Sequence, residues 1–359
     1  MITDTALVEK REELKRKLAA GEYRTLIDVL LDGTGRLVQK LTRNPKPMPY
    51  WYSAALIVLT ALAIGLLTPI LLGDFIDEYA LTTFPTAGFL FIGLIIFKIQ
   101  TGFTHIHLRD HIVDAIESAE DLIDLQNWLA VASNKKASTL FALAFGVAFG
   151  LLTAILDSTV RGRFVGVGGT FTTFIVTILL GMGSYYVLLF FTLPLRLSRY
   201  RFKLYATDPS SSEVISHLSS MLTSFVYLTA ALIAVLMLLF AASRLLISTF
   251  IFLILVAWGA LATVFVTIQY ALAKIITRAK WKTLNEVQAK VEKLQAAENL
   301  AEKETMDAIN RLMDFHDRIK ATRNSALDLR AGLNFLNSLL LPLLAFLLAN
   351  LDKVLALFQ

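Results

Sequence analysis

Leu245–Ala273 reads LLISTFIFLILVAWGALATVFVTIQYALA, a run without a single charge, and the segment after it, 274–330, holds 12 Lys or Arg and neither Gly nor Pro. A helix needs about 20 apolar residues to cross a bilayer, so the first stretch is long enough to span one. The second is rich in strong helix formers and has no breaker. Its apolar residues fall at coiled-coil spacing, Leu284, Val287, Val291 and Leu294, then Leu312, Phe315 and Ile319, with a lapse at Glu298 and Thr305. Beyond it Gly332–Asn350, GLNFLNSLLLPLLAFLLAN, is again apolar enough for a membrane. A straight helix through 274–330 would be roughly 85 Å long and would strand that last run in water. The charged piece is therefore expected to double back as an antiparallel hairpin, its tip near Glu298–Lys303 and each arm about 40 Å. The competing arrangement is one long helix, with 332–359 as an oligomerisation zipper or an in-plane segment.

Composition points the same way. Hydrophobic residues make up 56%, charged residues 18%, and the mean hydropathy is +0.62, whereas soluble domains carry about 25% charge. The fold class that follows is all-α: a polytopic integral membrane bundle of six or seven transmembrane helices with a cytoplasmic antiparallel helical hairpin. A net charge of +5 and a pI near 9.2 would suit nucleic acid. The basic residues, however, sit beside apolar spans instead of in one aromatic-interleaved patch, so no nucleic-acid partner is expected. The expected partners are the lipid bilayer of a cell membrane and further copies of the chain. With no Cys, disulfides, thiol catalysis and Cys-ligated metals are excluded. About fifty largely polar residues precede the first long apolar run, which is not the pattern of a signal peptide.

Taken in order, residues 1–44 of the N-terminal region 1–49 alternate apolar and charged positions at helical spacing, as two amphipathic helices would. Gly21 and the turn Asp32-Gly33-Thr34-Gly35 are the expected punctuation between amphipathic helices lying on the membrane or on the hairpin. That turn lacks the Gly-x4-Gly-Lys-Ser/Thr spacing of a phosphate loop. Pro45, Pro47 and Pro49 make a stiff linker, and Tyr50, Trp51 and Tyr52 an interfacial aromatic belt. Residues 50–273 supply six spans, about Trp51–Gly73, Ala87–Phe103, Ser138–Leu156, Phe164–Leu195, Met221–Ala241 and Leu245–Ala273, with a connector helix at 104–137. Residues 274–331 form the hairpin, and 332–359 a C-terminal apolar segment holding the seventh span. Asp208-Pro209-Ser210-Ser211-Ser212-Glu213 reads as a capping box, Ser210 with Glu213, starting the fifth span. With the N-terminus inside, segments 1–49, 98–137, 196–213 and 274–330 are cytoplasmic and hold 30 of the 34 Lys and Arg, in line with the positive-inside rule.

Two concentrations of residues could carry chemistry. His105, His107 and His111 lead into Asp110, Asp114, Glu117, Asp121 and Asp124, acids that line one face of the connector. The plain reading is a solvated acidic side. The functional one is a divalent-cation or pH-sensing site in which His107, His111, Asp114 and Glu117 offer nitrogen and oxygen ligands one turn apart. Such an ion is the sole cofactor considered. In spans 3 and 4, Gly146-x3-Gly150 with Gly181 and Gly183 has the small-residue spacing that lets helix backbones approach. Thr170, Thr173 and Thr177 beside them, and Asn334, Asn337 and Ser338 in the last apolar run, are candidates for an uncharged polar wall along a water path. Apart from Lys98, placed to snorkel at the inner end of span 2, no charge lies deep in a span. Coupled transporters, intramembrane proteases and lipid transferases need such groups, and no enzyme activity is expected.

Seven spans with the N-terminus inside, a cytoplasmic helical extension between the last two, and an end just after span 7 resemble the layout of insect-type gustatory and olfactory receptor channels. The resemblance is one of topology and carries over no functional residue. It implies a homo-oligomeric channel with span 7 near its axis. The sequence thus leads to an oligomeric ion channel or pore gated through cytoplasmic helices. The alternatives are a membrane-anchored scaffold or signalling protein without transport, and an uncharged-solute or lipid transporter. Single cysteines placed in this Cys-free chain test the orientation: an impermeant thiol reagent applied to intact cells should label Asp77→Cys and Asp157→Cys but not Ser211→Cys or Gln295→Cys. Labelling of Gln295→Cys from outside would invert the topology.

Overall fold

In the computed structural model, the described residues are 4–43, 46–72, 77–161, 167–241, 247–297 and 303–324, together with Asn337, Leu340 and Leu344. Within them the regular structure is helical apart from one isolated antiparallel bridge, Ile116 with Phe202. The helices in order are α1 (Asp4–Ala20), α2 (Leu26–Thr42), α3 (Tyr50–Leu72), α4 (Asp77–His107), α5 (Val113–Ala115), α6 (Ala119–Ala132), α7 (Lys135–Arg161), α8 (Val167–Phe190), α9 (Leu193–Leu197), α10 (Glu213–Ala241), α11 (Ile247–Ala297) and α12 (Lys303–Ala321). A π turn, Leu108–Ile112, joins α4 to α5. Six helices, α3, α4, α7, α8, α10 and α11, are long and apolar enough to cross a membrane. The chain is compatible with an integral membrane protein. The seventh span and the hairpin tip fall outside the described residues, apart from Lys303 and the three positions just named.

The N-terminal helices pack on the bundle and its connector, α2 on α3 and α4, and α1 on α5, α6 and the π turn. Gly21, at φ +68°, turns the chain between α1 and α2, and Thr25 with Asp28 forms a capping box that starts α2. The turn expected at Asp32–Gly35 is absent, because α2 runs straight through both glycines. Gly35 instead permits close approach: a Cβ there would meet Ser53 Oγ of α3 at 3.0 Å. The apolar face of α2, Ile27 and Leu31, is buried against Ala54 and Val58 of α3 and Leu90 and Leu94 of α4. Lys98 has a partner within the protein. Its Nζ lies 2.7 Å from Asp28 Oδ1, and Asp28 is almost wholly buried while also receiving the Thr25 hydroxyl and amide.

A second, larger core continues from the ends of the helices into the bundle. Leu14 and Leu18 of α1, Ile112 of the π turn, Leu122, Leu125 and Trp128 of α6, and Leu193 and Leu197 of α9 are buried in the same cluster as Phe225, Leu261 and Ile268 of the spans. The capping box expected at Ser210 does not form. Asp208 caps a short 3-10 turn, Pro209–Ser211, and the buried Ser212 accepts a bond from the Tyr205 amide before α10 begins. The hydrogen bonds from Ser210 hold the Asp208 carboxyl below the usual carboxylate range.

At the distal end α12 packs along α11, burying Leu284, Val287 and Val291 of one and Thr305, Ile309 and Ile319 of the other. Thr305, where the apolar seam lapses in sequence, is itself buried. The last carbonyls of a helix have no partner within it. Here the buried Lys280 of α11 donates to Lys320 O, Thr322 O and Asn324 Oδ1, each at 2.8 Å, placing a cation on the negative end of α12. Spin labels at the exposed Gln288 and Arg318 should therefore report roughly 20 Å between helices lying side by side. Lys280→Met should broaden that distribution. A single peak near 45 Å, the length of thirty residues of unbroken helix, would remove the fold-back.

Candidate functional site

The connector acids are not a free stripe. Each carboxylate has a partner: Asp110 its neighbour Arg109, Asp114 Lys15 of α1 at 2.6 Å, and Glu117 Lys282 of α11 at 3.2 Å. Asp121 accepts the Arg201 amide, and Asp124 accepts from Arg196 at 2.9 Å and from the Tyr200 hydroxyl at 2.7 Å. Backbone bonds stitch the same region, with the Glu117 amide donating to Arg201 O, the Lys203 amide to Ala115 O, and Arg11 to Ile116 O. Burial pushes the Asp121 carboxyl up despite its bond from Arg201. Burial and then the Asp124 carboxylate push the Tyr200 phenol well above its ordinary range, so it stays a donor.

The histidines divide. His105 lies within electrostatic reach of Asp28 and Lys98. His107 has Nδ1 3.1 Å from Phe103 O, a bond that only the Nδ1–H tautomer can make. His111, carried on the π turn, stacks its ring on that of His217 from the first turns of α10, with centroids 3.5 Å apart and planes 7° from parallel. His107 is next to them, 5.5 Å from His217 and 5.9 Å from His111. Glu213, one turn before His217, puts Oε1 3.3 Å from its Nε2. Ligand atoms of His111, Glu213 and His217 all lie within 4.8 Å of one another. Asp114 and Glu117, grouped with His107 and His111 on sequence spacing, are drawn instead to Lys15 and Lys282. Glu213 and His217 were not singled out, because nothing local in sequence links them to a residue a hundred positions earlier.

The glycines and threonines of α7 and α8 meet in the closest-packed helix pair. A Cβ on Gly181 would stand 2.9 Å from Ala142 Cα, one on Gly146 2.4 Å from Ile178 Cγ1, and one on Gly150 3.1 Å from the Phe174 ring. Gly183 faces elsewhere, towards Ile27 of α2 and Phe97 of α4. Thr177 is buried at the α7–α8 seam, its hydroxyl 2.8 Å from Thr173 O and 3.2 Å from Gly146 O. Thr170 stands in the first turn of α8, and Asn337 is exposed. Asn334 and Ser338 lie outside the described residues.

A polar layer that the sequence did not flag sits between α4 and α10. Buried Gln100 donates to Thr104 Oγ1 and accepts from Ser224, both at 3.3 Å. On α11 the buried amide of Gln269 has no protein partner for either polar atom among the described residues. The chain matches no protein-family model, no curated protein and no solved structure.

The helix seam yields a direct test. Gly181→Val places a side chain against the Ala142 backbone and should cost about 1–3 kcal/mol, lowering the melting temperature in detergent. Gly183→Ala meets Ile27 Cδ1 at an ordinary 3.4 Å and should leave melting nearly unchanged. Equal melting of the two variants would contradict the packing of α7 on α8.

Proposed function

We propose that the chain is a homo-oligomeric channel or pore of the cell membrane, N-terminus inside, gated through its cytoplasmic helices and without catalytic activity. The carrying observation is the uncharged polar layer of Gln100, Thr104 and Ser224 together with the unpartnered amide of Gln269. A buried polar atom without a partner costs about 1–3 kcal/mol, which water relieves wherever water can enter. Water at the inner end of the bundle is what the mouth of a conduction path requires. Its wall is then uncharged, made of such groups with Thr170, Thr173, Asn334, Asn337 and Ser338 as further candidates, and discriminates poorly between cations. The continuous core supports the gating, because a displacement of α1, α6 or α9 is transmitted to Phe225 and Ile268 through packed side chains. On this reading α11 and α12 form the cytoplasmic hairpin.

A scaffold without transport is the second reading. Trp281, Met306 and Met313 favour it, being exposed on α11 and α12 where a partner helix could cover them. An uncharged-solute or lipid transporter is the third, suited by an apolar groove between Phe190, Pro194, Gly259 and Thr263.

Mass measurement of the purified protein and flux in reconstituted liposomes separate the three. A closed ring of several subunits with ion flux is expected, and Gln100→Leu or Asn337→Leu should lower conductance while the ring persists. Absence of flux at neutral and mildly acidic pH, with and without calcium or zinc, would leave the scaffold reading in its place.

A further inference from the structure

We infer that His111, Glu213 and His217 form a binding site for a zinc-class divalent transition-metal ion, which ties the end of α4 to the first turn of α10. The inference is independent of conduction and stands or falls on binding alone.

The donor set fixes the class of ion. Two imidazole nitrogens and one carboxylate oxygen suit zinc, cobalt or nickel, whereas calcium and magnesium take oxygen almost exclusively. Charge points the same way. Asp114, Glu117, Asp121 and Asp124 are committed to a cation or a backbone amide, while Glu213 reaches only His217 among the described residues. Two neutral rings and one anion would leave a bound dication a single net positive charge.

Geometry is close to what coordination needs. Tetrahedral ligands about 2.0–2.2 Å from zinc sit roughly 3.4 Å from one another. The three ligand atoms here already converge within 4.8 Å. The two stacked rings present nearly parallel planes, so one must rotate for both lone pairs to meet a shared ion. Both rings are half-buried and Glu213 is exposed, which leaves that rotation room and gives the ion a path in from water. Three protein ligands leave the fourth position to solvent.

Two features beyond the cluster support a ligand. His111 is delivered by a π turn, a rare element that is frequent at functional sites, and this turn packs against α10 as well as α1. His107 stands at the rim as a third imidazole beside the two rings.

The probe is zinc chloride, titrated calorimetrically into the full-length chain in detergent or nanodiscs, with calcium chloride as control. One equivalent of zinc should bind, calcium should not, and zinc should raise the melting temperature. Losing merely a hydrogen-bond partner of a ligand costs about 10–100-fold in metal affinity, so His111→Ala, His217→Ala and Glu213→Gln should each weaken binding at least tenfold. Glu304→Gln, exposed on α12, should leave it unchanged. Cobalt provides a readout that needs no variant: intense visible d–d bands on the native chain report tetrahedral nitrogen and oxygen ligation. Zinc binding that survives all three substitutions, or a cobalt spectrum no different from the aquo ion, overturns the site.

Discussion

Five carboxylates along one connector repel each other, and the connector end of this bundle is organised by the partners that cancel that repulsion. Lys15 comes from α1, Arg196 and Tyr200 from α9 and the chain just after it, the Arg201 amide from the same loop, and Lys282 from the middle of α11. Exposed pairs of this kind contribute little each, about 0–1 kcal/mol. Their importance is geometric. Together with the Ile116–Phe202 bridge they fix where α1, α9 and α11 stand around the connector, and so bring the π turn, with His111, against α10.

Energy comes from the apolar face of the same connector. Ile112, Val113, Ile116, Leu122, Leu125 and Trp128 are buried in a cluster that continues into the spans. Each fully buried side chain of this size contributes about 1.5–3 kcal/mol, several times an exposed ion pair. The helices outside the bundle and the apolar spans thus share one core.

What could be read in advance follows the range of the forces. Apolar length identifies α3, α4, α7, α8, α10 and α11 because crossing a bilayer constrains each helix separately. Gly146-x3-Gly150 was legible for the same reason, its role being set within one helix face. Partners of charged groups were not. Asp28 with Lys98 and His111 with His217 join residues 70 or more positions apart, and no local pattern encodes such pairs. The Asp32–Gly35 stretch misleads because α2 runs through both glycines, and Gly35 serves close approach to Ser53 instead of a turn. The capping box at Ser210 fails because Asp208 takes both the amide and the hydroxyl of Ser210.

Asp28 and Lys98 pose the sharpest question of magnitude. Burying a carboxylate and an ammonium costs several kcal/mol apiece, and their attraction roughly returns that, so the pair adds little net stability while removal of one partner costs about 3–5 kcal/mol. Ile27 and Leu31, by contrast, contribute about 1.5–3 kcal/mol each by leaving water. Apolar burial therefore holds α2 on the bundle, but it would do so almost equally well if the helix slid by a turn. The carboxylate cannot slide: Asp28 reaches Lys98 and Thr101 while its other oxygen closes the capping box at Thr25. Displacement by one turn, about 5.4 Å, takes the almost wholly buried Asp28 carboxylate away from Lys98 and Thr101. The ion pair fixes the register of a helix that hydrophobic contacts bind, and that register sets Gly35 against Ser53, where no larger residue fits without a shift.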